Sequence, residues 1–356
     1  MPGPSSDLLL VNLGTRYRTS RRDPHRLGEN GPMTTSDDRP AEARVRDVGE
    51  FGLIDLVRAE LGSGSRVIVG PGDDAAHLDT DTGRVLVSTD VLVENRHFRR
   101  DWASAEQIGR RAAASNLSDI NAMGGRATAV TVGLALPDDL PAAWVVDLAR
   151  GLAAECERVG AHVIGGDMTA ADQVVIAVTV IGETSVPVRR HGAAPGDVVA
   201  VAGRLGWSAA GLAALSRGFR SPRSVVEAHL VPQPPYEAGP AAAAAGATAM
   251  IDVSDGLLAD VGHVALAGGV LVDLDSGALE ADEPVRTVAG ALGREPMDFV
   301  LGGGEDFALV ATFGRHSELP SGWRRIGEVL EASSRAPGVL VDGEEPPVEP
   351  GHRHWG

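Results

Sequence analysis

Carboxylates recur in this sequence in short polar knots at the ends of apolar runs. Asp73 and Asp74 follow Val67-Ile68-Val69, and Ser88, Thr89 and Asp90 follow Val85-Leu86-Val87. The two runs read as neighbouring strands, which would deliver several oxygen ligands to one spot. Carboxylates crowded together repel unless a hard cation lies between them, and an all-oxygen set suits magnesium. His162-Val163-Ile164-Gly165-Gly166-Asp167 repeats the grammar of apolar strand, glycine and aspartate. Further on, Ile251-Asp252-Val253-Ser254-Asp255-Gly256 places Asp252 and Asp255 around an expected helix start, with Ser254 or Asp255 as its cap. The run Leu301-Gly302-Gly303-Gly304-Glu305-Asp306-Phe307 interrupts an apolar stretch with three glycines, so the backbone is expected either to approach something closely or to adopt positive φ. Gly203-Arg204-Leu205-Gly206, before another helix, could cradle an anion.

The elements that must position these groups alternate between strand and helix. A helix is expected over about 103–123, with Ile108, Ala112, Ile120 and Met123 on its apolar face. Asn116 and Asp119 fall three apart and share a different face, although both are poor helix-interior residues. Either they form a solvated face or Asp119 points back at the metal site. Strands are expected at 127–136, 162–167, 174–182, 198–202 and 307–313, with helices between, so an α+β first domain over 44–185 precedes a second, α/β domain over 196–345. The linker between them carries Arg190 among prolines and glycines. Residues 1–43, rich in Arg, Asp, Pro, Ser and Gly, are expected to be a disordered extension in which Met33 offers an alternative start. A tail at 346–356 is expected to close the site.

Composition removes several chemistries. The formal net charge is −17, which argues against a nucleic-acid or anionic-membrane partner, since both need a basic face. All 32 basic residues are Arg. The absence of Lys excludes the P-loop and Schiff-base chemistry. Cys156 is the one cysteine, so a disulfide within the chain is excluded. No apolar run approaches the ~20 residues of a membrane-spanning helix, and a cytoplasmic location is expected.

Taken in order, these knots resemble the thiamine-monophosphate kinases, within the superfamily of aminoimidazole ribonucleotide synthetase. The resemblance is carried by Gly49-Glu50-Phe51, Gly72-Asp73-Asp74-Ala75-Ala76, Ser88-Thr89-Asp90 with His97-Phe98, and Asn116-Leu117-Ser118-Asp119. It continues through Gly165-Gly166-Asp167, Arg190-His191-Gly192, Asp252-Val253-Ser254-Asp255-Gly256 and Gly303-Gly304-Glu305-Asp306-Phe307. It implies ATP-dependent phosphorylation of thiamine monophosphate to thiamine diphosphate by direct in-line transfer. It also implies a homodimer whose first domains pair into a β-barrel. By the same motifs, Asp74, Ser88, Thr89, Asp90, Asp119, Asp167, Asp252 and Asp255 would hold several magnesium ions, with room for potassium. Gly166, Asp167, Arg190 and Ser254 would contact ATP, and His97 and Glu305 the thiamine phosphate. At the C terminus the family's Gly-aromatic-x-His-aromatic pattern reads Gly351-His352-Arg353-His354-Trp355, so His352 stands where a ring is usual and Trp355 is left to cover the thiamine.

Two other readings stay open on sequence. A different member of the superfamily would share the phosphate-binding half but act on another acceptor, in hydrogenase maturation or purine synthesis. A regulator that binds ATP and magnesium without catalysis would lack a ligand carboxylate, whereas every expected one is present.

Overall fold

The computed structural model describes residues 43–351, apart from residues 63, 70–76, 82, 334, 347, 349 and 350. Asp74, His352, Trp355 and the expected extension up to residue 42 lie outside the described residues. The first half of the chain runs α1 (Val45–Val48), α2 (Glu50–Arg58), β1 (Val67–Val69), β2 (His77–Leu78), β3 (Leu86–Val93) and α3 (Ala105–Ala122). It continues with β4 (Arg126–Leu136), α4 (Ala142–Glu157), β5 (His162–Ala170) and β6 (Val175–Glu183). Strands β3, β6, β4 and β5 form one sheet in that order, antiparallel except where β4 meets β5. Ile176, Val178 and Val180 of β6 are fully buried on the face covered by α3, and the residues between them are half-exposed. Helices α3 and α4 lie unusually close: a Cβ at Gly109 would stand 2.1 Å from the Leu148 carbonyl oxygen, and one at Gly151 2.0 Å from that of Glu106. Only glycine fits at such a crossing.

The expected hairpin between residues 67–69 and 85–87 does not form. β1 pairs with β2, and β3 takes β6 as its partner from Leu86↔Gly182 to Val93↔Val175. The reason is periodicity. Leu86, Ser88, Asp90 and Leu92 turn one way and Val87, Thr89 and Val91 the other, so the strand runs through the polar triplet. Ser88, Thr89 and Asp90 therefore sit in mid-strand, not at a strand end.

The second half runs β7 (Val198–Ala202), α5 (Trp207–Ser216), α6 (Arg223–Leu230), α7 (Ala238–Ala244), β8 (Ala249–Asp252) and α8 (Leu257–Gly268). Then follow β9 (Val270–Leu274), α9 (Glu283–Leu292), α10 (Pro296–Gly302), β10 (Leu309–Phe313), β11 (Trp323–Glu331) and β12 (Gly338–Val341). The six strands lie in the order β12-β9-β11-β7-β10-β8, antiparallel except for β12 with β9. Both faces are covered. Val201, Ile251 and Val310 pack with Leu257 and Val261 of α8, while Ala200, Met250 and Leu309 pack with Ala242 of α7 and with Ala122 at the end of α3. Helix α3 thus belongs to both cores and joins the two sheets. Among the described residues no helix is long and apolar enough to cross a membrane.

Candidate active site

Helix α3 carries polar groups on two of its sides, and those groups organise the site. Toward β3, Asn116 Oδ1 accepts the Asp90 N–H at 3.0 Å, and Asp119 Oδ2 accepts the Ser88 hydroxyl at 2.5 Å. Asn116 is fully buried, so this face of the helix is not solvated. Asp119 points at the polar triplet of β3. Toward the second sheet, the Ser118 hydroxyl donates to Asp252 Oδ2 at 2.7 Å, and Asn121 Oδ1 accepts the Gly239 N–H at 3.0 Å. Each of these contacts needs a small polar side chain on an otherwise alanine-rich helix.

The carboxylates so gathered are electrostatically crowded. Burial pushes Asp119 up to about 7, and the charges of Asp252 and Asp90 push the same way. Asp252, at the end of β8, is buried and raised to about 6 by that burial, with Asp260 adding to it. Arg190, on the 3₁₀ turn Arg190–Gly192, pulls both back down without overcoming their burial. A hard cation would relieve this crowding, so the donor set fits magnesium. Among the described residues, no three of His, Cys, Asp or Glu are already drawn together around one point.

Ser254 and Asp255 do not cap α8. The cap position is Gly256, and the Asp260 carboxylate reaches back to accept the N–H groups of Asp255 and Gly256, both at 3.0 Å. Ser254 and Asp255 line the cleft instead. The glycine-rich loop also resolves its two expectations. A Cβ at Gly303 would stand 2.3 Å from the Phe299 carbonyl oxygen and one at Gly304 2.5 Å from that of Ser254, so these glycines serve close approach. Positive φ falls on Glu305 (64°) and Phe307 (51°). Left-handed backbone at such residues is strained and marks functional sites. Here the Glu305 N–H donates to Ser254 O at 2.7 Å and the Phe307 N–H to Val253 O at 2.9 Å. The helix start after Gly206 is served from within the chain. Its N–H groups at Gly206 and Ser208 are taken by the Asp306 carboxylate, at 2.5 and 2.8 Å.

An open cleft of about 340 Å³ runs between these elements. Asp90, Asp119 and Asp255 line it together with His97, Arg111 and Glu305. His97 Nδ1 accepts the Val93 N–H at 2.9 Å, which fixes the ring proton on Nε2 in the neutral form. A second hollow of about 250 Å³ shares His97, Arg111 and Glu305 and adds Phe98, Trp102, Ile108 and Leu230.

Gly166 and Asp167 are not brought to this cleft by their own chain. β5 is the opposite edge of the sheet from β3, and the row Val91–Ala177–Gly133–Asp167 crosses all four strands. Three strand spacings of about 4.8 Å place Asp167 roughly 14 Å from β3. It lies on the face shared by Val91, opposite to Asp90. Thr89 points to that face too, its Oγ1 2.9 Å from Thr179 Oγ1. Sequence reasoning missed Arg111 and His229, both buried in the site. An arginine one helical turn from Ile108 on an apolar stripe was the available signal for Arg111. Nothing local marks His229.

Two sheets joined by one helix, with a carboxylate-lined cleft beside it, set the class of the fold. Residues 72–184 match the N-terminal domain of AIR synthase related proteins, and residues 194–335 match their C-terminal domain. The chain is 49% identical over 318 residues to a thiamine-monophosphate kinase of Mycobacterium tuberculosis, covering 88% of this chain and 94% of the relative. It is 40% identical to a thiamine-monophosphate kinase of Corynebacterium glutamicum, over 87% of this chain and 95% of that one. A solved structure of AaThiL complexed with AMPPCP and TMP superposes with a TM-score of 0.72 at 34% identity, covering 88% of this chain and 99% of that chain. The chain belongs to the thiamine-monophosphate kinase family of AIR synthase related proteins.

Proposed function

We propose that the protein transfers the terminal phosphoryl group of ATP to thiamine monophosphate, forming thiamine diphosphate and ADP. The observation that carries this reading is the cleft itself. It joins buried, mutually repelling carboxylates, suited to a metal-bound polyphosphate, to the separate group of His97 and Glu305, in a chain 49% identical to a thiamine-monophosphate kinase.

The acceptor is already an ionised phosphate oxygen, so the reaction needs positioning and charge neutralisation more than a general base. Asp90, Asp119, Asp252 and Asp255, with Asp74 and Ser88, would hold magnesium. When bound, the metal supplies positive charge against the oxygens of the transferring group. Arg190, whose charge already reaches Asp119 and Asp252, contacts the nucleotide phosphates, and Ser254 contributes a hydroxyl beside them. His97 and Glu305 hold the thiamine substrate, Glu305 on the side of its rings. Gly351, the last described residue of the C-terminal tail, passes close to this loop: a Cβ there would stand 2.4 Å from the Asp255 carbonyl oxygen.

The reading includes a homodimer. The β5 edge of a second copy meeting the β3 edge of the first would bring Gly166 and Asp167 beside Thr89 at one nucleotide. The half-exposed face around Val87 and Val91, 60% and 48% exposed, supports such a pairing.

The test is an ADP-release assay with magnesium and ATP, comparing thiamine monophosphate, free thiamine and aminoimidazole-type acceptors, with the product identified by mass. Thiamine diphosphate is expected from the monophosphate alone. No product from the monophosphate would overturn the assignment.

A further inference from the structure

We propose that Arg111, supported by His229, is a positioning residue that aims the Glu305 carboxylate into the cleft and thereby sets the affinity for the thiamine substrate, not for ATP. The inference rests on the function proposed above and deepens it.

Glu305 is held from several directions. Its backbone occupies the left-handed region, tied down by its own N–H to Ser254 O and by the neighbouring Asp306 to the start of α5. Its Oε1 accepts from Arg111 Nη2, while Arg111 Nη1 donates to the His229 carbonyl at the end of α6. One guanidinium on α3 therefore clasps two segments of the second half. The Arg111 side chain is 6% exposed and that of Glu305 35%, so the carboxylate offers a ligand more surface than the guanidinium does. Glu305 Oε2 stands 3.7 Å from His229 Nδ1, beyond a full hydrogen bond. That nitrogen is within 3.0 Å of Ser208 Oγ instead. Oε2 thus remains able to accept from a ligand.

Charge follows the geometry. Burial works to raise the Glu305 carboxyl, but Arg111 foremost outweighs it and holds Glu305 below its ordinary value. His229 is driven down to about 3 by burial, with Arg111 adding to it, so it contributes shape and not charge. An ionised carboxylate repels the phosphates of ATP and suits a heteroaromatic ring that carries either a positive charge or an amino donor. The thiazolium and aminopyrimidine of the thiamine substrate are of that kind.

The test compares KM for thiamine monophosphate and for ATP in full-length wild type, Arg111→Met, Arg111→Lys, Glu305→Gln and the double variant Arg111→Met/Glu305→Gln. A hydrogen bond to a charged group corresponds to roughly a 10- to 100-fold rise in KM for thiamine monophosphate in Arg111→Met, with KM for ATP little changed. Arg111→Lys, which keeps the buried charge but not the fork, is expected to recover part of the loss. The double variant is expected to be no worse than the worse single one, because Arg111 acts through Glu305. Equal rises in both KM values, or losses that multiply in the double variant, would overturn the inference. Should Arg111→Met fail to fold, Arg111→Lys carries the same comparison, and an unchanged KM for thiamine monophosphate in it would refute the role. A wild type that makes no thiamine diphosphate would overturn the proposed function as well. An active wild type with KM values unmoved by either Arg111 variant would sink this inference alone.

Discussion

Asp119→Asn separates the metal-binding role from a structural one. In the metal-free fold, the Asp119 carboxyl is pushed from its ordinary 3.8 up to about 7 by burial, Asp252 and Asp90. At about 1.4 kcal/mol per pKa unit, ionised Asp119 costs the metal-free fold on the order of 4 kcal/mol. The asparagine removes that cost and weakens the hydrogen bond from Ser88, which contributes roughly 1.5–3 kcal/mol when its acceptor is charged. The two effects oppose each other. The melting temperature of the variant in a chelator, at pH 8, should therefore equal or exceed that of wild type. Magnesium should raise the melting temperature of wild type and not that of the variant, and turnover at saturating substrates should fall by about 10³-fold or more, since metal stabilisation of transferring charge is several kcal/mol. Near-normal turnover in Asp119→Asn, or an undiminished magnesium shift, would refute the assignment. A collapse of the metal-free fold would show that the Ser88–Asp119 contact is structural.

Other consequences can be checked as directly. If a second copy supplies Asp167, mixing inactive Asp119→Asn chains with inactive Asp167→Asn chains should restore activity to about one quarter of wild type, because half of the dimers are mixed and each has one intact site; no recovery after subunit exchange would place Asp167 outside a shared site. Burial holds Asp306 at about 7 in the folded state against 3.8 in solution, so the fold keeps a proton that the unfolded chain releases, and this carboxyl makes stability fall as pH rises from about 4 to about 7. Urea titrations of Asp306→Asn should show a shallower dependence across that window, and an unchanged slope would mean that Asp306 is ionised throughout. Cys156 is fully buried, its thiol pushed up to about 12 by burial and by Glu155, so thiol reagents should leave it untouched in the native protein and titrate one thiol per chain in denaturant; rapid native reaction would contradict that burial.

Much of the fold was legible because apolar periodicity reports burial directly. The helix expected over about 103–123 is α3 (Ala105–Ala122), and the strand expected at 198–202 is β7. Strand pairing was not legible. The 67–69 and 85–87 runs are close in the chain and equally apolar, yet β3 joins β6, nearly ninety residues away, because its eight-residue alternation matches that partner along its whole length. Capping was misread for a similar reason. Asp260, one turn into α8, reaches back to the N–H groups of Asp255 and Gly256, at the helix start that Ser254 or Asp255 was expected to cap.

Sequence alone determined which chemical groups are present and where strands and helices run. The ordered knots of Asp, Ser and Gly carry the resemblance to the kinase family, and their oxygen donors are of the kind a hard divalent cation takes. Tertiary structure decided which of those groups meet. Asp90 and Asp252 are brought to two sides of α3, near Asp119, because that helix packs on both sheets, whereas Asp167, carried by the same kind of motif, is held at the far edge and on the other face of its sheet. The Arg111–Glu305 contact spans 194 positions of sequence, and only the docking of α3 against the glycine-rich loop brings it about. Local patterning encodes what a segment becomes; the distance between segments is set by how whole faces pack.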